Sequence, residues 1–266
     1  MNKLERKALF FDVDGTLLSE INRTVPESAV RAVSEARKQG HLVFINSGRV
    51  YCMLDFLNDL IETDGFLCGC GTRIIAGGRT EYSYTVPHER GLRIREDIIR
   101  YNLDGWLEGT ECAYFQNHVS RHPHVERVKQ ALRSENGCIS PYGWEEDGFD
   151  FDKFCVLADE KSDREGFFRS IPDFHIIDRG GGFYECVPEG HSKATAIEWV
   201  LKHYGIPLEQ AYVFGDSTND LPMFEYAVNG IVMGAHAEEL EPYATFITKT
   251  VEEDGVAYAM ESLGIL

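Results

Sequence analysis

Short apolar runs, each stopped by a polar residue, set the rhythm of the first part of the chain. Ala8-Leu9-Phe10-Phe11 ends at Asp12, and Leu42-Val43-Phe44-Ile45 ends at Asn46-Ser47-Gly48. Unbroken runs of this length predict strands buried on both faces, as in a parallel sheet. Between the two runs, after Pro26, Ala29, Ala32, Val33 and Ala36 recur at helical spacing, and Gly40 supplies a stop. Residues 51–61 read as a further helix and Phe66-Leu67-Cys68 as a third strand. Such alternation predicts an α/β layer, a sheet covered by helices.

After about residue 83 the pattern changes. Helices are expected near 89–101 and 122–134, and strands near 111–116, 153–158, 173–177 and 182–187, with Gly180-Gly181-Gly182 as a hairpin turn. Alternation then resumes, with a helix over 193–204, a strand over 211–214, a helix from about 218, and short strands at 230–233 and 245–247. The simplest organisation is a Rossmann-like parallel-sheet core, residues 1–83 and 188–266, interrupted by an α+β insert at 84–187.

Composition narrows the function. The 266 residues are 43% hydrophobic, enough for a packed core. A net charge of -18 opposes binding to nucleic acid or anionic lipid, and no basic patch offsets it. The apolar run from Ala8 to Phe11 is too short for a signal-peptide core or a membrane span. Seven scattered cysteines suit a reducing compartment better than a disulfide framework, so a cytoplasmic protein is expected, as monomer or homodimer.

Open parallel sheets bind ligands beyond the carboxyl ends of their strands. Asp12 and Asp14 follow the first strand and Ser47 the second. Asp216 follows Val213-Phe214-Gly215, with Asn219 and Asp220 just beyond, and Lys193 opens the returning helix. Each piece alone has a plain structural reading as a turn, a cap or a solvated lysine; the set, in this order, does not. Carboxylates gathered at one spot repel each other and call for a hard cation, for which magnesium fits. Ser47 and Lys193 offer donors to a phosphoryl group, and Gly15 permits a tight turn beside it. One carboxylate is then free to attack phosphorus and another to move protons.

Phe11-Asp12-Val13-Asp14-Gly15-Thr16-Leu17-Leu18 resembles the first signature of the haloacid dehalogenase (HAD) phosphatases. Ser47-Gly48-Arg49, Ser192-Lys193 and Gly215-Asp216-Ser217-Thr218-Asn219-Asp220 resemble the other three, and the ending from Ile231 to Ala257 is similar to the Cof-like subfamily. The resemblance makes the insert a C2-type cap that sets substrate specificity. It implies Asp12 as nucleophile and Asp14 as general acid, then base, with Ser47, Lys193 and Asn219 on the phosphoryl group. It also implies Mg2+ on the Asp12 side chain, the Asp14 backbone carbonyl and the Asp216 side chain. Asp220 would orient Lys193, with Gly15 in support, and Arg49 would face the cap. Cys70, Ala194 and Ala235 depart from the family's usual residues. The expected substrate is a small phosphorylated metabolite, a sugar or polyol phosphate. A sugar-phosphate phosphomutase and a non-catalytic phospholigand-binding module are the rivals; the fourth motif argues against the first and the intact acids against the second. His118, His122 and His124 read as a helix start and not a zinc site, and the phenylalanines at 149, 151, 154, 167 and 168 as insert core.

Overall fold

The computed structural model describes residues 5–134 and 138–266. The chain divides into two compact units. One takes the chain up to Arg49, then Leu54–Tyr82 and His191–Leu266; the other takes Val50–Met53 and Ser83–Gly190.

The first unit is built on an eight-stranded sheet. In chain order its strands are β1 (Ala8–Phe11), β2 (Leu42–Asn46), β3 (Gly65–Cys68), β4 (Arg73–Ala76) and β5 (Arg79–Ser83), then, after the second unit's β6–β10, β11 (Ala211–Gly215), β12 (Asn229–Val232) and β13 (Phe246–Ile247). Across the sheet the order is β13-β12-β11-β1-β2-β3-β4-β5. From β13 to β3 every pairing is parallel, and β4 turns back antiparallel on β3. Every residue of β1 is buried, as its unbroken apolar run requires. Helix α1 (Glu27–Lys38) buries the four predicted residues, with Glu27 in its first turn and Arg37 and Lys38 in its last, the charge order that the helix dipole favours. Helix α5 (Lys193–Tyr204) follows α2–α4 of the second unit. It starts on a reciprocal cap between Ser192 and Thr195 and stops at Gly205, which takes a left-handed backbone with φ 65°. Two further helices, α6 (Leu221–Tyr226) and α7 (Gly255–Ser262), complete this unit. The 51–61 segment is not the expected α-helix but two 3-10 pieces, Tyr51–Met53 and Asp55–Asp59. Its first piece belongs to one unit and its second to the other.

The second unit carries a five-stranded sheet in the order β7-β6-β8-β10-β9: Ala113–Phe115, Asp104–Glu108, Lys153–Leu157, Phe183–Pro188 and Phe174–Asp178. The pairings of β6 with β7 and β8, and of β10 with β8 and β9, are all antiparallel. Helices α2 (His88–Arg100) and α4 (Arg164–Ser170) pack with Leu107, Phe151, Phe154, Phe167 and Tyr184 in one core. On the other face α3 (Pro123–Ser134) contributes Val125 and Leu132 to a second cluster around Trp106 and Phe115. A buried ion triad also lies in this sheet: the Lys153 ammonium sits 2.5 Å from Glu108 and 2.8 Å from Glu185. Cys52 and Cys138 are joined as a disulfide, their Cα atoms 5.9 Å apart. The other five cysteines are free. His122 and His124 are half-buried at the start of α3, where His124 stacks near Trp106 and Phe183. No histidine joins a group able to hold a metal among the described residues.

Candidate active site

Strands β1 and β11 lie side by side, so Asp12 and Asp216 emerge together although about 200 residues separate them. The Asp12 backbone N–H donates to Phe214 O at 2.9 Å. Two glycines make the approach possible. At Gly15, with φ 78°, an added Cβ would fall 2.4 Å from Asp216 Oδ2; at Gly215 it would fall 2.7 Å from Asp220. Thr16 Oγ1 then donates to Asp216 Oδ1 at 2.9 Å and fixes that carboxylate. Asp220 is fully buried and serves the turn that carries it, since its Oδ2 accepts the backbone N–H groups of Asp216 and Ser217, each at 3.0 Å.

Lys193 ties the halves of the site together. It is 1% exposed, and its ammonium donates to Asp12 Oδ1 and to Asp220 Oδ1, each at 2.5 Å. Its own backbone is held as well. Asn46 Nδ2 donates to Lys193 O at 3.1 Å, a positioning role that sequence reading missed. The signal was there, a polar residue closing an otherwise apolar strand. Ser47 is buried beside it. The Ser47 N–H donates to Leu67 O at 2.8 Å, while Cys70 N–H donates back to Ser47 O at 3.0 Å and Gly69 N–H to Arg49 O at 2.8 Å. The loop after β3 thus cradles the Ser47-Gly48-Arg49 turn. To do so Gly69, Cys70 and Gly71 all take positive φ, and a Cβ at Gly71 would stand 2.6 Å from Ser192 O. Cys70 is buried in this cradle, whereas Ala235 is exposed in the loop after β12.

The carboxylates fall into two electrostatic groups. Asp12, Asp216 and Asp220 each place an oxygen within 4.8 Å of the others. Burial pushes Asp12 up to about 7, against the pull of Lys193 and with the push of Asp220. Burial, with Asp12 and Asp220 close by, pushes Asp216 up to about 8. Lys193 is held well above the usual lysine range; its burial opposes the charge, and Asp12 and Asp220 overcome it. Asp14 stands apart. Its burial would raise it, but two arginines hold it below the usual carboxylate range. Arg49, expected to turn toward the insert, puts Nε on Asp14 Oδ2 and a terminal nitrogen on Oδ1, both at 2.7 Å. Arg23, which sequence reading missed, adds a contact to Oδ1 at 3.2 Å. Asn219 is buried nearby, and its Oδ1 accepts from Ser217 Oγ at 2.8 Å. Asp220, expected only to orient Lys193, therefore also belongs to the acid trio. Ionised together, three carboxylates against one ammonium would leave an excess of two negative charges, and carboxylate oxygens are the donors that a hard divalent cation takes.

Residues 9–260 match the family described as haloacid dehalogenase-like hydrolase. The chain belongs to this family. YkrA of Bacillus subtilis (strain 168), which carries a provisional phosphatase name, is 30% identical over 99% of this chain and 100% of its own length. YitU of the same organism, named 5-amino-6-(5-phospho-D-ribitylamino)uracil phosphatase, is 26% identical over 92% of this chain and 93% of its own. Among solved structures, the HAD subclass IIB sugar phosphatase BT4131 superposes with a TM-score of 0.84 at 26% identity, covering 98% of this chain and 100% of that one. As a HAD hydrolase of the Cof-like kind, this chain is a phosphatase, and its mixed α/β core is the fold of the family. No helix among the described residues is long and apolar enough to cross a membrane.

Proposed function

We propose that this HAD phosphatase is a magnesium-dependent phosphomonoester hydrolase that takes the phosphoryl group onto Asp12 and releases it to water. One observation carries the reading: a single buried ammonium, Lys193, bridges Asp12 to Asp220, 181 and 27 residues away in sequence. That ammonium aims Asp12 and anchors Asp220, and a cation would be held between Asp12 and Asp216. When bound, a divalent cation would supply charge to neutralise the acids and the phosphoryl oxygens. Asp12, Asp216 and the Asp14 carbonyl would hold it, with Asp220 close behind. Asp12 attacks phosphorus in line. Asp14 protonates the departing oxygen and then takes a proton from the water that cleaves the aspartyl-phosphate. Lys193, the Ser47 hydroxyl and the Asn219 amide steady the equatorial oxygens, where positioning and charge supply most of the rate.

For the substrate we infer a small sugar or polyol phosphate, with the second unit setting selectivity. Two relatives point this way: BT4131 is named a sugar phosphatase, and the substrate in YitU's name carries its phosphate on a ribityl chain. The acidic surface, with a net charge of -18, disfavours polynucleotides. The test compares kcat/KM for hexose and pentitol phosphates, nucleotides and a phosphopeptide, before and after chelation. Free phosphate should be the product, chelation should stop turnover, magnesium should restore it, and Asp12→Asn should lower kcat by at least about 10³-fold. An isomerised sugar phosphate would move the assignment to a mutase. A phosphopeptide preferred over every small ester would overturn the substrate class.

A further inference from the structure

The chain leaves the first unit after Arg49, spends Val50–Met53 in the second and returns at Leu54. A covalent bond holds this excursion, because Cys52 is joined to Cys138, 86 residues further along. The far end is firmly seated. Cys138 is buried, its O accepts the Ala113 N–H at 2.8 Å, and Ser140 N–H donates to Ala113 O at 2.9 Å, so the segment is zipped onto the start of β7. The near end is one 3-10 turn, in which Met53 N–H donates to Val50 O at 3.0 Å and Met53 packs on the cluster around Trp106. Cys52 itself is only half-buried. Its Sγ lies 3.9 Å from Gly109 O, an acceptor for the hydrogen that this sulfur gains when the bond opens.

Arg49 stands just before the excursion. Its N–H donates to Ser47 Oγ at 3.2 Å, and its guanidinium grips both oxygens of Asp14. A restraint on residues 50–53 is therefore a restraint on the turn that carries Ser47 and Arg49. We propose that Cys52 and Cys138 form a reversible thiol switch, whose closed state fixes the Ser47-Gly48-Arg49 turn for catalysis and whose open state loosens it. This rests on the reading of that turn as part of the phosphoryl site. Opening needs two electrons, supplied by a dithiol such as dithiothreitol. One of its thiolates attacks Cys52 Sγ, the more accessible sulfur; the bond to Cys138 breaks, and Cys138 leaves as a thiolate and takes a proton. The second thiolate then attacks the mixed disulfide, so the dithiol departs as a cyclic disulfide and Cys52 takes a proton. Closing runs the other way on glutathione disulfide, which is reduced to two glutathione molecules. Cys112, next to Ala113, is no part of the switch. It is free, and burial together with Glu111 pushes its thiol up, away from the thiolate that exchange requires.

The test uses the full chain with magnesium and p-nitrophenyl phosphate, equilibrated in dithiothreitol or in glutathione disulfide. Alkylation and peptide mass analysis should find Cys52 and Cys138 joined in the oxidant and both alkylated in the reductant. Reduction should lower kcat/KM about threefold or more, since a turn that must be ordered anew for each substrate loses its prepaid positioning. Cys52→Ser and Cys138→Ser should run at the reduced rate in either buffer, and Cys112→Ser should respond as wild type. In Arg49→Ala the two redox states should turn over equally, because the effect passes through that residue; a general loosening of the fold would still separate them. Cysteines 52 and 138 both alkylated in oxidant, wild-type rates equal in the two states or higher in the reduced one, or an undiminished redox response in Arg49→Ala would each overturn the proposal. Wild type without turnover, or Asp12→Asn with it, fails the reading of the site and takes this inference with it.

Discussion

Single atoms decide the geometry of this site. The missing Cβ of Gly15 lets the Asp12-Val13-Asp14 turn press against Asp216, and the positive φ at that glycine makes any side chain there a strain as well as a collision. Gly15→Ala should therefore do two separable things. It should cost about 1–3 kcal/mol of stability in urea titration, the range for a side chain forced into a sparsely populated backbone region. It should also weaken magnesium binding more than tenfold by about 1.4 kcal/mol or more of displaced Asp216, read by calorimetry. An alanine variant that binds magnesium as wild type would show that the Asp216 carboxylate is not held by this contact.

At the scale of elements, α5 is the part to perturb. Its first residue is the lysine of the site, and its first turn is capped by Ser192. Ser192→Ala should destabilise the protein by about 1 kcal/mol, the usual worth of such a cap, and should lower kcat as well, since Lys193 Nζ is aimed by that turn. A stability loss with kcat unchanged would mean that Asn46 and the two carboxylates suffice to place it. Elements like α1, α5 and β1 were readable because burial and period agree in them. Others were hidden for physical reasons. The strand Asp104–Glu108, not among the expected elements, holds two acids and a glycine, and Glu108 is satisfied internally: it accepts from Trp106 Nε1 at 2.6 Å and meets Lys153. Gly105 is there because a Cβ would lie 2.0 Å from Cys155 O. Arg79–Ser83 is exposed throughout and has no buried face to betray it. Residues 51–61 do carry apolar residues at helical spacing, and Leu54, Leu57 and Ile61 are buried, yet the segment breaks where it passes between units. At the site, the residues on motifs were legible, whereas Arg23 and Asn46 act through contacts that only the folded chain creates.

For the molecule as a whole, the acid trio links metal, protons and stability. The folded chain holds Asp12 and Asp216 protonated up to about 7 and 8, whereas 3.8 is their ordinary value. Between these limits the folded state binds more protons than the unfolded one, so stability of the metal-free protein falls as pH rises through that window. Magnesium bound among these acids would take the place of those protons. The rise in thermal midpoint on adding magnesium should thus be larger at pH 8 than at pH 6, measured by scanning fluorimetry against a chelated control. A rise as large at pH 6 would place the cation elsewhere than among these acids.

The position of β1 governs how the polypeptide reaches this state. It is the central strand of the first sheet, with β2 on one side and β11 on the other, and its residues pair in register with Ala211 to Phe214. A ribosome has to release about 200 more residues before the second neighbour exists, and on refolding a loop of that length has to close first. Such distant pairings are slow to find, and a half-paired apolar strand is exposed to wrong partners meanwhile. The second unit pairs its strands over shorter spans and has no such wait. Catalysis should reappear only in the last phase of refolding, with the wrong-partner hazard rising with protein concentration until β11 arrives.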